Sequence, residues 1–579
     1  QVLGNEDDTE PRRAAVLIAM DSQGSVDRNA TASISKRHTA QPVPYGITDD
    51  TVYPPIQKGP FSFSVWVIGD IARADRYALL CLPKIAQQHR ANALKLLDSI
   101  LNNNIRTHMP GWRYILLTPA PADSVSSGDR LAPILMFGDG VQPGLLTSAS
   151  TQRPGLVTNT DFLPTVAAYF GLKPPEGMIG RPMRVIPLPA TSPWWKRLTA
   201  RVGLHTSPPI PTPELWASLY NHWATQAAQQ AALGGLPTFQ FAIVLAVMAI
   251  WWCSRPPSLL QDKRIFHLLH ALPLATLCLP LALFVLPLFM SSSVMGAALI
   301  LTAALLAVVI IALRWPDSIL KIAMAALVAL VVGVALDLLI GGVLLRQAWM
   351  SYSVMEGARY YGIGNEYAAA VFAGALLCSN AFLQGTARWK LPAVLIFLTI
   401  LALLIGMPAF GANAGGCLAA LMGFGVACWV WMRGRLCLRD MIAVFVVAGL
   451  LVLLVLMADL LRGAEHQSHI ARAITGGGNI ANILWRKVAL NYYLLFHSPW
   501  SLCLLASAIG LWLLFGPSDL RLSMKQDHIA YGTAMGALTG VIALLVFNDS
   551  GVVAAAEAMM LCWAFACVRL HTLRTAPTA

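Results

Sequence analysis

Residues 346–367 read RQAWMSYSVMEGARYYGIGNEY and lie between two long apolar runs. Arg359, Asn365 and Glu366 thus fall at the lip of what the flanking sequence makes a membrane. Ionisable groups at that depth cost free energy unless they are paired or functional. Gly362 and Gly364 stand between Arg359 and Glu366, and a glycine in a helix interior costs about 1 kcal/mol relative to alanine. A bent or re-entrant segment is therefore expected here in place of a continuous helix. Such backbone survives at membrane depth only when it is buried in protein or lines a cavity. We expect the C-terminal part of the chain to be organised around this segment.

Composition supports a membrane setting. The chain has 579 residues, of which 56% are hydrophobic and 12% charged, with a mean hydropathy of +0.60. These values exclude a large soluble enzyme and indicate a polytopic membrane protein. Polarity is uneven, which divides the chain into an α/β extracytoplasmic domain (1–205), a linker and pre-membrane helix (206–235), an all-α transmembrane domain (236–570) and a cytoplasmic tail (571–579). Only Cys81 lies in the first domain, so no disulfide framework is expected there. The chain begins at Gln1 with neither methionine nor signal peptide, which leads us to expect a preceding segment.

A span needs about 20 apolar residues. Eleven candidates begin near Phe239, Phe266, Met295, Ile322, Ala368, Leu391, Ala414, Met441, Ser501, Ile529 and Gly551. Threaded in order, they put Arg255, Lys263, Arg264, Arg314, Lys321, Arg388, Lys390, Arg433, Arg435, Arg439, Arg521, Lys525, Arg569 and Arg574 on one side. The positive-inside rule makes that side cytoplasmic and the N-terminal domain external. The net charge of +12 is then a consequence of topology, and no nucleic-acid partner is expected. Membrane lipids are the expected partners, with further membrane subunits or a separate N-terminal fragment as others.

The outer side carries two long segments, 346–367 and 462–500, and two short turns containing Asn413 and Asn548-Asp549-Ser550. Arg346, Arg359, Arg462, Arg472, Arg486 and Lys487 lie there against the usual charge bias. Arginine forks bind phosphate bidentately. The candidate binding residues are therefore Arg359, Asn365, Glu366, Asn413, His469, Arg472, Arg486, Lys487 and Asp549. Alternatively, these cations pair with Glu356, Glu366, Asp459, Glu465 and Asp549 and merely order the loops. His466 and His469 share a helical spacing, but two histidines are a weak metal signal. Residues 479–496 are amphipathic enough to lie along the interface. Asp337 and Glu557 are charged residues two to three turns inside spans, suited to proton or cation sites or to hydrogen bonding between helices.

In the N-terminal domain, residues 14–20, 63–68, 114–117 and 133–137 read as buried strands, and 84–103 and 161–170 as helices. Strand–helix alternation predicts a largely parallel sheet. Asp70, Arg73 and Arg76 form its most charged strand end, either a weak anion site or a solvated loop with an internal ion pair. Residues 144–182, with Asp161-Phe162-Leu163-Pro164-Thr165, Gly171-Leu172 and Gly180-Arg181-Pro182, resemble the C-terminal end of an alkaline-phosphatase-superfamily domain. That resemblance implies an α/β fold and, in catalytic members, a divalent metal site. Here Thr118-Pro119 stands where the family has an Asp-His pair, and Ser150 to Arg153 stand where a histidine ligand is expected. No metal or cofactor is therefore expected unless an N-terminal half supplies further ligands.

Three functional readings follow. The first is an envelope protein whose outward cavity handles a phosphate-bearing lipid or lipid-linked glycan beneath a degenerate alkaline-phosphatase-like domain. The second is a non-catalytic scaffold of a larger membrane assembly. The third is a metal-dependent phosphohydrolase or transferase completed by a missing half.

Overall fold

The computed structural model describes residues 2–3, 29–30, 36–37, 47–48, 63, 65–66, 68–108, 112–118, 131–172, 180–187, 213–232, 235–253, 263–289, 293–351, 354, 360–384, 389–461, 480–515 and 527–575. The chain divides into two compact units. One comprises residues 1–143 with 169–172, the other residues 144–168 with 173–579.

In the first unit, Val2–Leu3 lies between Asn29–Ala30 and Val65–Trp66, parallel to both. Helices Asp70–Tyr77 and Pro83–His108 follow. The strand expected at 14–20 lies outside the described residues. One expectation is corrected. Strands Arg113–Leu117 and Ile134–Gly138 pair with each other antiparallel, Tyr114 opposite Phe137 with their rings stacked at 5.1 Å. A parallel pair needs a long crossover connection, usually a helix, whereas antiparallel neighbours do not.

The second unit begins with a small module of residues 144–168 and 180–187. Gly144–Thr147 pairs antiparallel with Arg184–Pro187, and a 3₁₀ turn at Asn159–Asp161 leads into helix Phe162–Tyr169. After helix Pro213–Ala232 comes the bundle.

All eleven apolar segments expected from the sequence are helical: Leu236–Cys253, Lys263–Val285, Val294–Arg314, Ile319–Leu339, Asn365–Leu383, Lys390–Gly406, Ala414–Arg433, Leu438–Leu460, Pro499–Phe515, His528–Phe547 and Gly551–Thr575. Among the described residues, nine helices are long and apolar enough to cross a membrane, or ten if the bent pair Lys487–His497 and Pro499–Phe515 is one span. Lys390–Gly406 has 17 residues and so reaches only about 25 Å at 1.5 Å per residue, short of a hydrocarbon core of about 30 Å.

Side-chain size sorts these helices into layers. Helix Asn365–Leu383 runs through YAAAVFAGALL, all of it buried. The window at Gly551–Leu570 is 89% buried, whereas those at Val294–Arg314 and Leu438–Leu460, rich in leucine, valine and isoleucine, are 6% and 11% buried. Between apolar helices there is no hydrophobic gain from association in lipid, so small residues that allow close van der Waals approach mark the interior. Helices Ala414–Arg433 and His528–Phe547 pack antiparallel along such a seam. A side chain on Gly423 would come within 2.8 Å of the Gly536 carbonyl, and one on Gly540 would overlap the Phe372 ring.

The same contacts define the two ends of the bundle. At one end Asn365, Asn413 and Ser550 meet. At the other, Asn380 meets Thr533, Gln384 meets Asp527 and the Trp431 indole donates to the Ile529 carbonyl at 2.9 Å. Lys390 is at this second end, its ammonium on the Gln384 carbonyl at 2.8 Å.

Candidate functional site

The described residues of the segment after Ile319–Leu339 are held at the first end of the bundle by a series of hydrogen bonds. Asp337 lies in the last turn of that helix, nearer its end than the two to three turns expected, because the turn begins at once with Gly341 and Gly342 at positive φ. Its carboxylate accepts from the Leu344 and Leu345 amides, each at 2.9 Å, and so closes the turn. Helix Pro213–Ala232 supplies two anchors: Gln226 donates to the Arg346 carbonyl at 2.5 Å, and Gln230 accepts from the Val354 amide at 3.2 Å. Burial pushes the Arg346 guanidinium below its ordinary pKa, an effect that the Asp337 charge opposes.

Arg153 of the small module provides the next anchor. Its side chain is 1% exposed, its Nε donates to the Tyr360 carbonyl at 2.8 Å, and its guanidinium lies 5.7 Å from the Trp223 ring. Burial raises the Tyr360 phenol pKa, with the Asp161 charge adding to the effect and the Arg153 charge opposing it. Gly362 then takes φ +82, and any side chain there would collide with the Gly411 carbonyl. Two residues later the chain enters helix Asn365–Leu383.

At that entry three helix N-termini converge. Asn365 donates to Ser550 Oγ at 2.6 Å and accepts from Asn413 Nδ2 at 3.0 Å. Asn413 in turn caps Ala414–Arg433, its Oδ1 accepting from the Gly416 amide at 2.8 Å. Ser550 precedes Gly551–Thr575. Each helix start carries a partial positive charge of roughly half an electron. Asn548 is 2% exposed, and its Nδ2 has no acceptor among the described residues.

Helix Ile480–His497 closes this end from the side. It meets the following helix at 74°, as a helix lying along the interface would. Lys487 pairs with Asp549 at 2.8 Å, and Asn491, one turn on, accepts from the Gly551 amide at 2.8 Å. Away from that contact, Trp485, Val488, Tyr492 and Phe496 form an exposed apolar stripe at helical spacing.

Of the residues singled out from the sequence, Asn365, Glu366, Asn413, Lys487 and Asp549 come together at this end, with Asp337 beside them. Arg359, His469 and Arg472 lie outside the described residues, as does the side chain of Arg486. Glu557 is deeper, in the first half of Gly551–Thr575. In the other unit, Asp70 and Arg73 form a buried ion pair at 3.0 Å, with Arg76 on the same helix. Sequence reasoning missed Arg153, Gln226 and Asn491. Asn491 had a local signal, being one turn from Lys487 on the same face.

Asp161, central to the family resemblance, is fully buried as a hydrogen-bond hub. It accepts from Ser148 and Ser150 hydroxyls at 2.6 Å each, from the Thr158 amide at 2.9 Å and from the Arg181 amide at 2.8 Å. Its lone pairs are committed to holding the module's loops together.

The helices define a multi-pass integral membrane protein with one strongly organised polar end. Comparison with protein-family models, with curated proteins and with solved structures returned no match.

Proposed function

We propose that the polar end faces the outside of the cell and binds the phosphate-bearing head of a lipid or lipid-linked glycan, in a cavity covered by the module of residues 144–168 and 180–187. The observation that carries this reading is the convergence of the three helix N-termini on Asn365, Asn413 and Ser550, with the Asn548 Nδ2 donor buried beside them. Helix starts are natural anion sites because backbone amides and dipoles both point at the ligand. Arg359, Arg472 and Arg486, near in sequence to this end, add the bidentate donors that phosphate recognition uses. The exposed stripe of Ile480–His497 would rest at the lipid boundary and bring the headgroup layer to the site.

Orientation follows from charge. Lys390, Arg433, Arg435 and Arg439 flank the helices at the opposite end, which the positive-inside rule makes cytoplasmic. The module, which resembles the end of an alkaline-phosphatase-superfamily domain, acts as a cap and not as a metallophosphatase in this reading, because the Asp161 carboxylate is taken up by four donors. The sparse burial of Val294–Arg314 and Leu438–Leu460 favours a second reading, a scaffold with helical partners on those faces.

The test is the phospholipid and lipid-linked phosphate content of the purified protein, measured by mass spectrometry for the wild type, Arg359→Ala and Glu366→Gln. Both variants should fold, and Arg359→Ala should lose the retained phosphate species. Unchanged lipid content in both would discard the headgroup site in favour of the scaffold.

A further inference from the structure

Beneath the polar end, the bundle buries the carboxyl group of Glu557. Glu557 is 1% exposed, on the most buried of the helices, and neither of its oxygens has a hydrogen-bond partner among the described residues. Its own helix surrounds it with Ala554, Ala555, Ala558 and Leu561, all buried. The Tyr367 hydroxyl, on the adjacent Asn365–Leu383 helix, is likewise fully buried and without a partner among the described residues. An isolated ionised carboxylate in such surroundings is so costly that the group is neutralised instead.

The groups that face Glu557 leave few ways to neutralise it. Glu366 and Tyr367 on Asn365–Leu383 and Cys503 on Pro499–Phe515 interact with it electrostatically, and none is a cation. Asp337, at the end of Ile319–Leu339, acts on Tyr367. Lys263–Val285 carries Lys263, Arg264, His267, His270 and Cys278, both cations in its first turn while Phe284 at its other end meets Tyr367, and His528–Phe547 carries His528 and Tyr531. Ile480–His497 carries Arg486 and Lys487, the latter already paired with Asp549, together with Tyr492, Tyr493 and His497. A hard metal ion would need roughly six oxygen ligands, far more than a carboxylate and one phenol offer, whereas a proton needs one.

We propose that Glu557 and the Tyr367 hydroxyl form an intramembrane proton-binding site, connected to the polar end through Glu366. Glu366 is partly exposed in the first turn of its helix, next to Asn365 and the Ser550 turn. Glu557 lies about 9 Å further along its own helix axis from Gly551. Glu366 is therefore the entry carboxylate and Glu557 the inner acceptor. The site does not depend on the headgroup reading, since it holds a proton whatever occupies the polar end.

Dicyclohexylcarbodiimide, which adds to protonated carboxyl groups in apolar surroundings, is the probe. The full-length protein in detergent is treated across a pH series, digested, and the Glu557 peptide quantified by mass spectrometry. Glu557 should be modified, with labelling falling about tenfold per pH unit once the group gives up its proton. After a pH jump, Glu366→Gln should slow the change in Glu557 labelling severalfold. An unlabelled Glu557 in protein whose other carboxyl groups react would overturn the site. Labelling that ignores pH would overturn exchange with the outside, and an unchanged rate in Glu366→Gln would overturn the entry route. The wild-type arms require no variant to fold.

Discussion

Replacing Arg153 with alanine should detach the small module from the segment after Ile319–Leu339 without unfolding the bundle. The side chain is 1% exposed and donates to the Tyr360 carbonyl at 2.8 Å. A hydrogen bond from a charged donor contributes about 1.5–3 kcal/mol, and the guanidinium 5.7 Å from the Trp223 ring adds about 0.5–1 kcal/mol. The combined loss is about 2–4 kcal/mol, which at 1.36 kcal/mol per tenfold corresponds to an opening equilibrium larger by about 30-fold to about a thousandfold. Arg153→Lys should recover little of this, because an ammonium cannot place a donor at Nε and stack on the indole at once. Hydrogen exchange reads the effect directly. The Gly155 amide bonds to the Leu146 carbonyl within the module, and the Ile363 amide to Gly411 within the segment, each at 2.8 Å. Both should exchange faster in Arg153→Ala, while amides in Ala414–Arg433 keep their protection. Protection of Gly155 and Ile363 within twofold of wild type would refute the coupling.

The other expectations concern separate parts of the chain. Gly540→Leu should destabilise the purified protein by about 1–3 kcal/mol or more in thermal unfolding, since any side chain there overlaps Phe372; a neutral result would dismantle the seam. Asn413→Ala removes a helix cap and the bonds to Asn365 and Ile363 and should cost about 1–2 kcal/mol. Lys487→Ala breaks a pair whose side chains are 32% and 59% exposed, worth about 1 kcal/mol or less, so the ranking of these two variants is itself the check. Single cysteines at Arg435 and Lys525 should react with impermeant reagents only from the cytoplasm, and one at Thr151 only from outside once the module is opened by Arg153→Ala. Labelling at Thr151 from the cytoplasmic side would invert the proposed topology.

The bundle was largely legible in the sequence because a membrane span is a long, local signal. Each of the eleven apolar runs became a helix, and the amphipathic run before Ser498 became Ile480–His497. The count of spans was less legible, since an apolar run does not announce that its helix stops at 17 residues. Gly362 and Gly364 correctly signalled a break before Asn365. Pairing direction was not legible: a short apolar run places Tyr114 and Phe137 on buried strands but says nothing about whether they run antiparallel. Long-range partners were invisible for a related reason. Arg153 meets Tyr360 across 207 positions and Asn365 meets Ser550 across 185, and no local pattern encodes either contact. Asp337 read as an intramembrane charge because its flanks are apolar. Its role as the acceptor for two amides of the following turn needed the turn itself.

The most direct test of the headgroup site is an experimental structure of the full-length protein in lipid nanodiscs that contain phospholipid and a lipid-linked phosphate. The proposal requires density for a phosphate headgroup at the start of helix Asn365–Leu383, in contact with the Asn548 side-chain amide and beside the Asn365–Asn413–Ser550 cluster. A well-ordered polar end holding only solvent, with every ordered lipid confined to the outer faces of Val294–Arg314 and Leu438–Leu460, would contradict it.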